Sequence, residues 1–125
     1  MSGGVLDRFP SLTLILAHGG GALPWLIGRF DVMHVRSDHA ATGIAAAAPP
    51  SAYLARLRYD TILHDPHALR YLAGRVGVER LVLGSDDSFP PADHDPLASL
   101  RRAGFSADEI HRIADVNPRA LFRLP

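Results

Sequence analysis

The chain has 125 residues, 47% hydrophobic and 21% charged, enough for one compact domain. Thirteen arginines and no lysine meet thirteen acidic residues, so the formal net charge is zero and no basic block exists to bind a nucleic-acid backbone. The absence of cysteine excludes disulfides, cysteine-ligated zinc, iron–sulfur clusters and a thiol nucleophile.

In chain order, Leu12-Thr13-Leu14-Ile15-Leu16-Ala17 reads as a strand ending at His18-Gly19-Gly20-Gly21. Pro24 to about Val35 reads as a helix, with Trp25, Leu26, Phe30 and Met33 apolar and Gly28 a weak point. The alanine-rich stretch from Arg36 to Ser51, with Pro49-Pro50, has weak periodicity and reads as a long connection with room to move. A helix is expected over Ala52 to Leu57, then a strand over Tyr59 to Leu63 ending at His64-Asp65-Pro66. Pro66 to Val76 places Leu69, Leu72, Ala73 and Val76 at helical spacing, with Pro66 suited to the first turn. Leu81-Val82-Leu83 is the third strand, ending at Gly84-Ser85-Asp86-Asp87. A short helix from Pro96 to Ala103 stops at Gly104. Ser106-Ala107-Asp108-Glu109 is a capping-box pattern opening a helix through Ile110, Ile113 and Ala114. Asn117-Pro118 is expected to break that helix before a last short one holding Ala120, Leu121 and Phe122.

The first and third strands lack polar alternation, which suits strands buried on both faces of a parallel sheet. Three strand–helix repeats argue for an α/β fold. No apolar run approaches the roughly 20 residues of a membrane-spanning helix. Met1-Ser2-Gly3-Gly4 opens with no basic stretch followed by an apolar one, so a soluble cytoplasmic protein with no membrane partner is expected.

Seven histidines offer metal ligands and proton carriers. His18, His64 with Asp65, and Asp86 with Asp87 gather past the C-terminal ends of the three strands. That edge of a parallel sheet is where active sites form. A histidine and a carboxylate on neighbouring strand ends can share a metal or a proton path, while any one strand-end histidine is more often a hydrogen-bonding structural residue than a catalytic one. The triple glycine has three readings. It is a turn at positive φ, a place where substrate or metal comes close to the backbone beside His18, or a phosphate cradle of N–H groups. The pattern GxxxxGK[ST] cannot exist without lysine, and GxGxxG lacks its last glycine, so the first two readings stay open ahead of the third.

His18-Gly19-Gly20-Gly21-Ala22-Leu23-Pro24 with Gly28-Arg29 resembles the HGGGxxPxxxGR signature of the amidohydrolase-2 family, whose best-known branch is aminocarboxymuconate-semialdehyde decarboxylase. Gly4 to Leu12 resembles the GVLxRFPxL lead of that family, and Tyr59-Asp60-Thr61 with His64-Asp65-Pro66 its next strand and loop. Leu83-Gly84-Ser85-Asp86 resembles its last-strand LGSD or LGTD, Ser88-Phe89-Pro90 its YPFP tail, and Asn117 to Phe122 its closing NAxRLF helix. The resemblance runs nearly end to end and in order.

The resemblance implies a metal-dependent (β/α)8 barrel that decarboxylates an unsaturated or aromatic carboxylic acid without oxidation. The competing activity is hydrolysis of a lactone or amide. It implies a divalent metal, zinc first and manganese second. His18 is similar to the active-site histidine that activates water at the metal or protonates the substrate carbon. Asp86 is similar to the metal-ligating aspartate of the last strand. Arg29 resembles an arginine that reaches a neighbouring subunit and holds a substrate carboxylate, a job suited to a guanidinium fork, though it also reads as a surface arginine.

A whole barrel needs about 250 residues, so residues 1–125 read as a C-terminal portion, about the last three strand–helix units. The family's other metal ligands are an HxH pair on its first strand and a histidine on its fifth. No HxH occurs here; His34/His39 and His64/His67 have other spacings. Either the chain is a truncated reading frame, or it is a natural half that joins copies of itself or a separate N-terminal half. Both leave an open strand edge and apolar helix faces, so a homo-oligomer or a missing half is the expected partner. The isolated chain is expected to show no metal-dependent turnover, and a non-catalytic subunit or interaction module is the alternative. The remaining candidates read as structural. His34, Asp38 and His39 lie in a solvated loop, Asp93, His94 and Asp95 on a loop rim, and His111 on a helix surface. Trp25 and Phe30 read as core or subunit contact.

Overall fold

A computed structural model describes all residues from Met1 to Pro125. Three short strands, β1 (Ile15–Leu16), β2 (Arg58–Asp60) and β3 (Leu81–Val82), form one parallel sheet in the order β1-β2-β3. Ile15 and Leu16 lie opposite Arg58 and Tyr59, and Tyr59 and Asp60 opposite Leu81 and Val82. Helix α1 (Val5–Arg8) precedes the sheet. Between β1 and β2 run α2 (Leu23–Arg36), α3 (His39–Thr42) and a 3-10 segment, Pro50–Arg56. Between β2 and β3 runs α4 (Pro66–Val76), and after β3 come α5 (Pro96–Arg102), α6 (Ala107–His111) and α7 (Asn117–Phe122).

The core gathers around β2 and β3. Tyr59, Leu81 and Val82 are buried, and so are all four periodic residues of α4: Leu69, Leu72, Ala73 and Val76. Asp65 caps α4 by accepting the Ala68 N–H at 2.7 Å, with Pro66 where its missing N–H costs nothing. The capping box of α6 is complete: Ser106 Oγ accepts the Glu109 N–H and Glu109 accepts the Ser106 N–H at 2.8 Å. Arg70 of α4 then lies over the Phe105 ring at 4.4 Å and pairs with Glu109 at 3.4 Å, joining two helices.

Four expectations need correcting. The first strand is not buried on both faces: it shrinks to two residues, and Leu12, Leu14 and Ile15 are exposed. It is an edge strand with a partner on one side only, so one flank of its apolar run stays open. The α2 stripe is also rotated. Pro24 and Ile27 are buried, with Leu23 and Phe30 packed against the core, whereas Trp25, Leu26 and Met33 face solvent, Trp25 at 69% exposure. The alanine-rich connection is anchored. Ala45 and Ala46 donate to the Ser2 carbonyl, Ala47 donates to Asp7, and Asp7 also accepts the Tyr53 hydroxyl at 2.8 Å. Burial, with the Asp7 carboxylate beside it, raises the Tyr53 phenol above its ordinary range.

Finally, Asn117-Pro118 does not break the last helix. A π turn over Arg112–Val116 widens it, so Pro118 sits in the first turn of α7 with no N–H to satisfy. The Ile113 carbonyl is then free for β3 and accepts the Leu83 N–H at 3.2 Å.

Candidate active site

The parallel sheet sends the loops after all three strands to one edge. Past β1, His18 to Gly21 take four successive positive φ values, 54°, 59°, 82° and 58°. Glycine is needed at 19 and 20 for space as well as for φ. A Cβ on Gly19 would come within 2.9 Å of Leu63, and one on Gly20 within 3.0 Å of the Tyr59 ring. The close approach at this turn is therefore made by the protein's own side chains.

The phosphate-cradle reading is overturned by the hydrogen bonds. The His18 and Gly19 N–H groups each donate to the Asp60 carboxylate at 2.9 Å. Gly20 and Gly21 donate to the Ala17 and His18 carbonyls at 3.0 and 2.8 Å. All four donors are engaged, and the anion seated on the turn is Asp60.

Past β2, Thr61 and Ile62 are buried and His64 is exposed, again at positive φ, 53°. Past β3, Gly84 donates to Thr61 Oγ1 at 3.2 Å, and half-buried Asp86 has φ 57°. The loop is closed by Asp93, whose N–H donates to the Ser85 carbonyl at 2.7 Å. Burial alone would raise the Asp93 carboxyl. The Ser99 hydroxyl, the Asp95 N–H and the charges of Arg102 and His64 outweigh burial and hold it below the ordinary range. Tyr59, beneath the glycine turn, is pushed up to about 12 by burial and donates to the Leu54 carbonyl at 3.1 Å, so it stays a neutral phenol.

His18 and Asp86 thus lie at the same sheet edge, in the loops that follow the two outer strands, whose axes stand roughly 10 Å apart across β2. Arg29 lies exposed within α2, with no hydrogen bond or salt bridge inside the chain. The His34 and His39 rings are 4.7 Å apart, and His39 Nε2 bonds the His34 carbonyl at 2.6 Å. Asp38 caps α3 instead of facing a metal.

Nowhere do three or more histidine or carboxylate side chains come together in an arrangement able to hold a metal ion. The residues of this chain do not by themselves fit a divalent-metal site. Two residues of the edge escaped the reading by residue type, Asp60 and Thr61. The available signal was a carboxylate ending a central strand, where an unpartnered charge would be costly.

The amidohydrolase family model matches residues 2–124, and the chain belongs to that family. It is 36% identical over 89 residues to 2-amino-3-carboxymuconate-6-semialdehyde decarboxylase of Dictyostelium discoideum, covering 70% of this chain and 24% of that protein. It is 43% identical over 91 residues to the protein of the same name in Caenorhabditis elegans, covering 72% and 22%. The chain thus spans about a quarter of the length of these curated relatives. Among solved structures it is similar to 5-carboxyvanillate decarboxylase from Sphingomonas paucimobilis, with a TM-score of 0.85 and 28% identity over 99% of this chain and 37% of that one. The manganese-bound 5-carboxyvanillate decarboxylase of Novosphingobium aromaticivorans shares the fold at a TM-score of 0.84 and 21% identity, covering 98% and 36%. No helix of the chain is long and apolar enough to cross a membrane.

Proposed function

We propose that this chain serves the non-oxidative decarboxylation of an aromatic or unsaturated carboxylic acid, as three strand–helix units of a (β/α)8 barrel. The observation that carries the reading is the shared sheet edge of His18 and Asp86, in a chain similar along most of its length to such decarboxylases. In the reaction, the bond between the substrate carbon and its carboxyl group breaks and carbon dioxide leaves. The electron pair stays on that carbon, which takes a proton from the His18 imidazolium. His18 is exposed and regains its proton from water. Arg29 is free of partners within the chain and is assigned to a substrate carboxylate, reached from a neighbouring copy. Asp86 is assigned as one ligand of a divalent ion, zinc or manganese, whose set this chain does not complete.

The test is carbon dioxide release from a panel of unsaturated and aromatic acids by the assembled protein, with zinc or manganese supplied. His18→Asn is expected to lower the rate at least about 100-fold, the contribution of a positioned proton donor. Opening of a lactone or amide without carbon dioxide would replace decarboxylation by hydrolysis. The 125-residue chain alone is expected to be inactive. Robust turnover by it, with one tightly held ion per chain, would overturn the incomplete-site reading.

A further inference from the structure

The end of the central strand carries two side chains that the proposed reaction does not use. Asp60 Oδ2 accepts the His18 N–H at 2.9 Å, while Oδ1 accepts the Gly19 N–H at 2.9 Å and the Ile62 N–H at 3.2 Å. One residue on, Thr61 is buried at 5% exposure and its hydroxyl accepts the Gly84 N–H at 3.2 Å. Successive residues of β2 and its extension thus bind the loops of both neighbouring strands, one on each side. We infer that Asp60 and Thr61 form a two-sided clamp that sets the His18 turn against the Asp86 loop, with Asp60 the positioning residue for His18.

Three donors on one carboxylate fix its rotation, and two of them are consecutive amides of the turn. The turn cannot swivel without breaking two charge-assisted hydrogen bonds, which are stronger than neutral ones. The clamp holds His18 in the left-handed region, which a residue with a Cβ occupies only at a cost. On the other side, packing reinforces the Thr61 bond. A Cβ on Gly84 would come within 2.9 Å of Ile62 and 3.2 Å of Asp60. Asp86 follows two residues later, so its loop departs from a point held by the strand that also holds His18. The catalytic sense of the clamp rests on the role proposed for His18; its geometry does not.

The test is amide NMR and hydrogen exchange on 15N-labelled protein. In Asp60→Asn, an NH2 group replaces one acceptor. The His18 and Gly19 amide protons should shift upfield and exchange roughly 10- to 100-fold faster, the loss expected for a hydrogen bond to a charged group, while amides of α4 and α5 stay in place. In Thr61→Val, Gly84 and Asp86 should move and His18 should not. Where the protein turns over substrate, Asp60→Asn should lower kcat about 100-fold with KM within about twofold, the signature of a misplaced reacting group. Unmoved His18 and Gly19 amides in Asp60→Asn overturn the clamp. Should that variant fail to fold, an unmoved Gly84 amide in Thr61→Val overturns it instead. The amides decide the matter even in a protein that releases no carbon dioxide, a result that fails the functional reading alone.

Discussion

Asn117→Ala tests how β3 is held, and through β3 the loop that carries Asp86. Asn117 is 9% exposed, and both hydrogens of its amide are used. One goes to the Val78 carbonyl at 2.8 Å and the other to the Leu81 carbonyl at 2.7 Å, bracketing the entry to β3. Truncation leaves both carbonyls without these donors. The bond to Leu81 is buried, and stranding a buried acceptor costs about 1–3 kcal/mol; the bond to Val78 is only partly buried and adds about 0.5–1.5 kcal/mol. The sum, about 3 kcal/mol, is a large share of the 5–15 kcal/mol that holds a typical domain together, and corresponds to a Tm drop of roughly 10 °C. Urea and thermal unfolding followed by far-UV circular dichroism measure it. Asn117→Asp separates hydrogen bonding from packing, because it keeps the shape while placing acceptors against acceptors. It should be worse than alanine. An aspartate variant milder than the alanine one, or an alanine variant within about 0.5 kcal/mol of the parent, would refute the reasoning.

Gly19→Ala should destabilise by about 3 kcal/mol, combining a Cβ at φ 59° with a 2.9 Å approach to Leu63; a loss below about 1 kcal/mol in chemical denaturation would show that the turn relaxes. Glu109→Gln tests the capping box through pH. The Ser106 N–H, aided by Arg70, holds the Glu109 carboxyl below the ordinary range. A carboxyl lowered in the folded state contributes stability above its unfolded pKa and loses it as pH falls through the folded one. The parent should therefore exceed the glutamine variant at pH 7, with the gap closing below about pH 4; a gap that widens in acid would contradict the assignment.

Elements with a complete local grammar were legible from the residues. Helix α4 has its Asp65 cap, Pro66 and four periodic apolar residues, and it forms over Pro66–Val76 as the spacing requires. The Ser106/Glu109 box is equally local. What was hidden depended on distant partners. The apolar run into β1 looks like a strand buried on both faces because its residues carry no information about how many neighbours will cover them. Pro118 looks like a helix breaker because its solution, a π turn that releases the Ile113 carbonyl to Leu83, needs β3 to be there. At the candidate site, residue type pointed to His18 and Asp86, but the use of Asp60 is invisible without the turn it binds. A triple glycine advertises room for an anion without saying that the anion comes from 41 residues away.

Backbone strain marks the same edge independently. Five residues other than glycine have positive φ: His18, His64, Asp86, Ser88 and Arg123. Arg123 ends α7, an ordinary helix stop. The other four lie in the loops leaving the C-terminal ends of the strands, at least one after each strand. Were these turns needed only to reverse the chain, glycine would make them without the cost of roughly 1–2 kcal/mol per residue. The chain does use glycine next to His18 and two residues before Asp86, yet sets a titratable side chain at the strained position. Such strain persists only where surrounding bonds over-determine it, and at His18 those bonds are the two that the His18 and Gly19 N–H groups donate to Asp60. Strain, hydrogen bonding and the residues assigned to the proposed reaction therefore coincide at one end of the sheet.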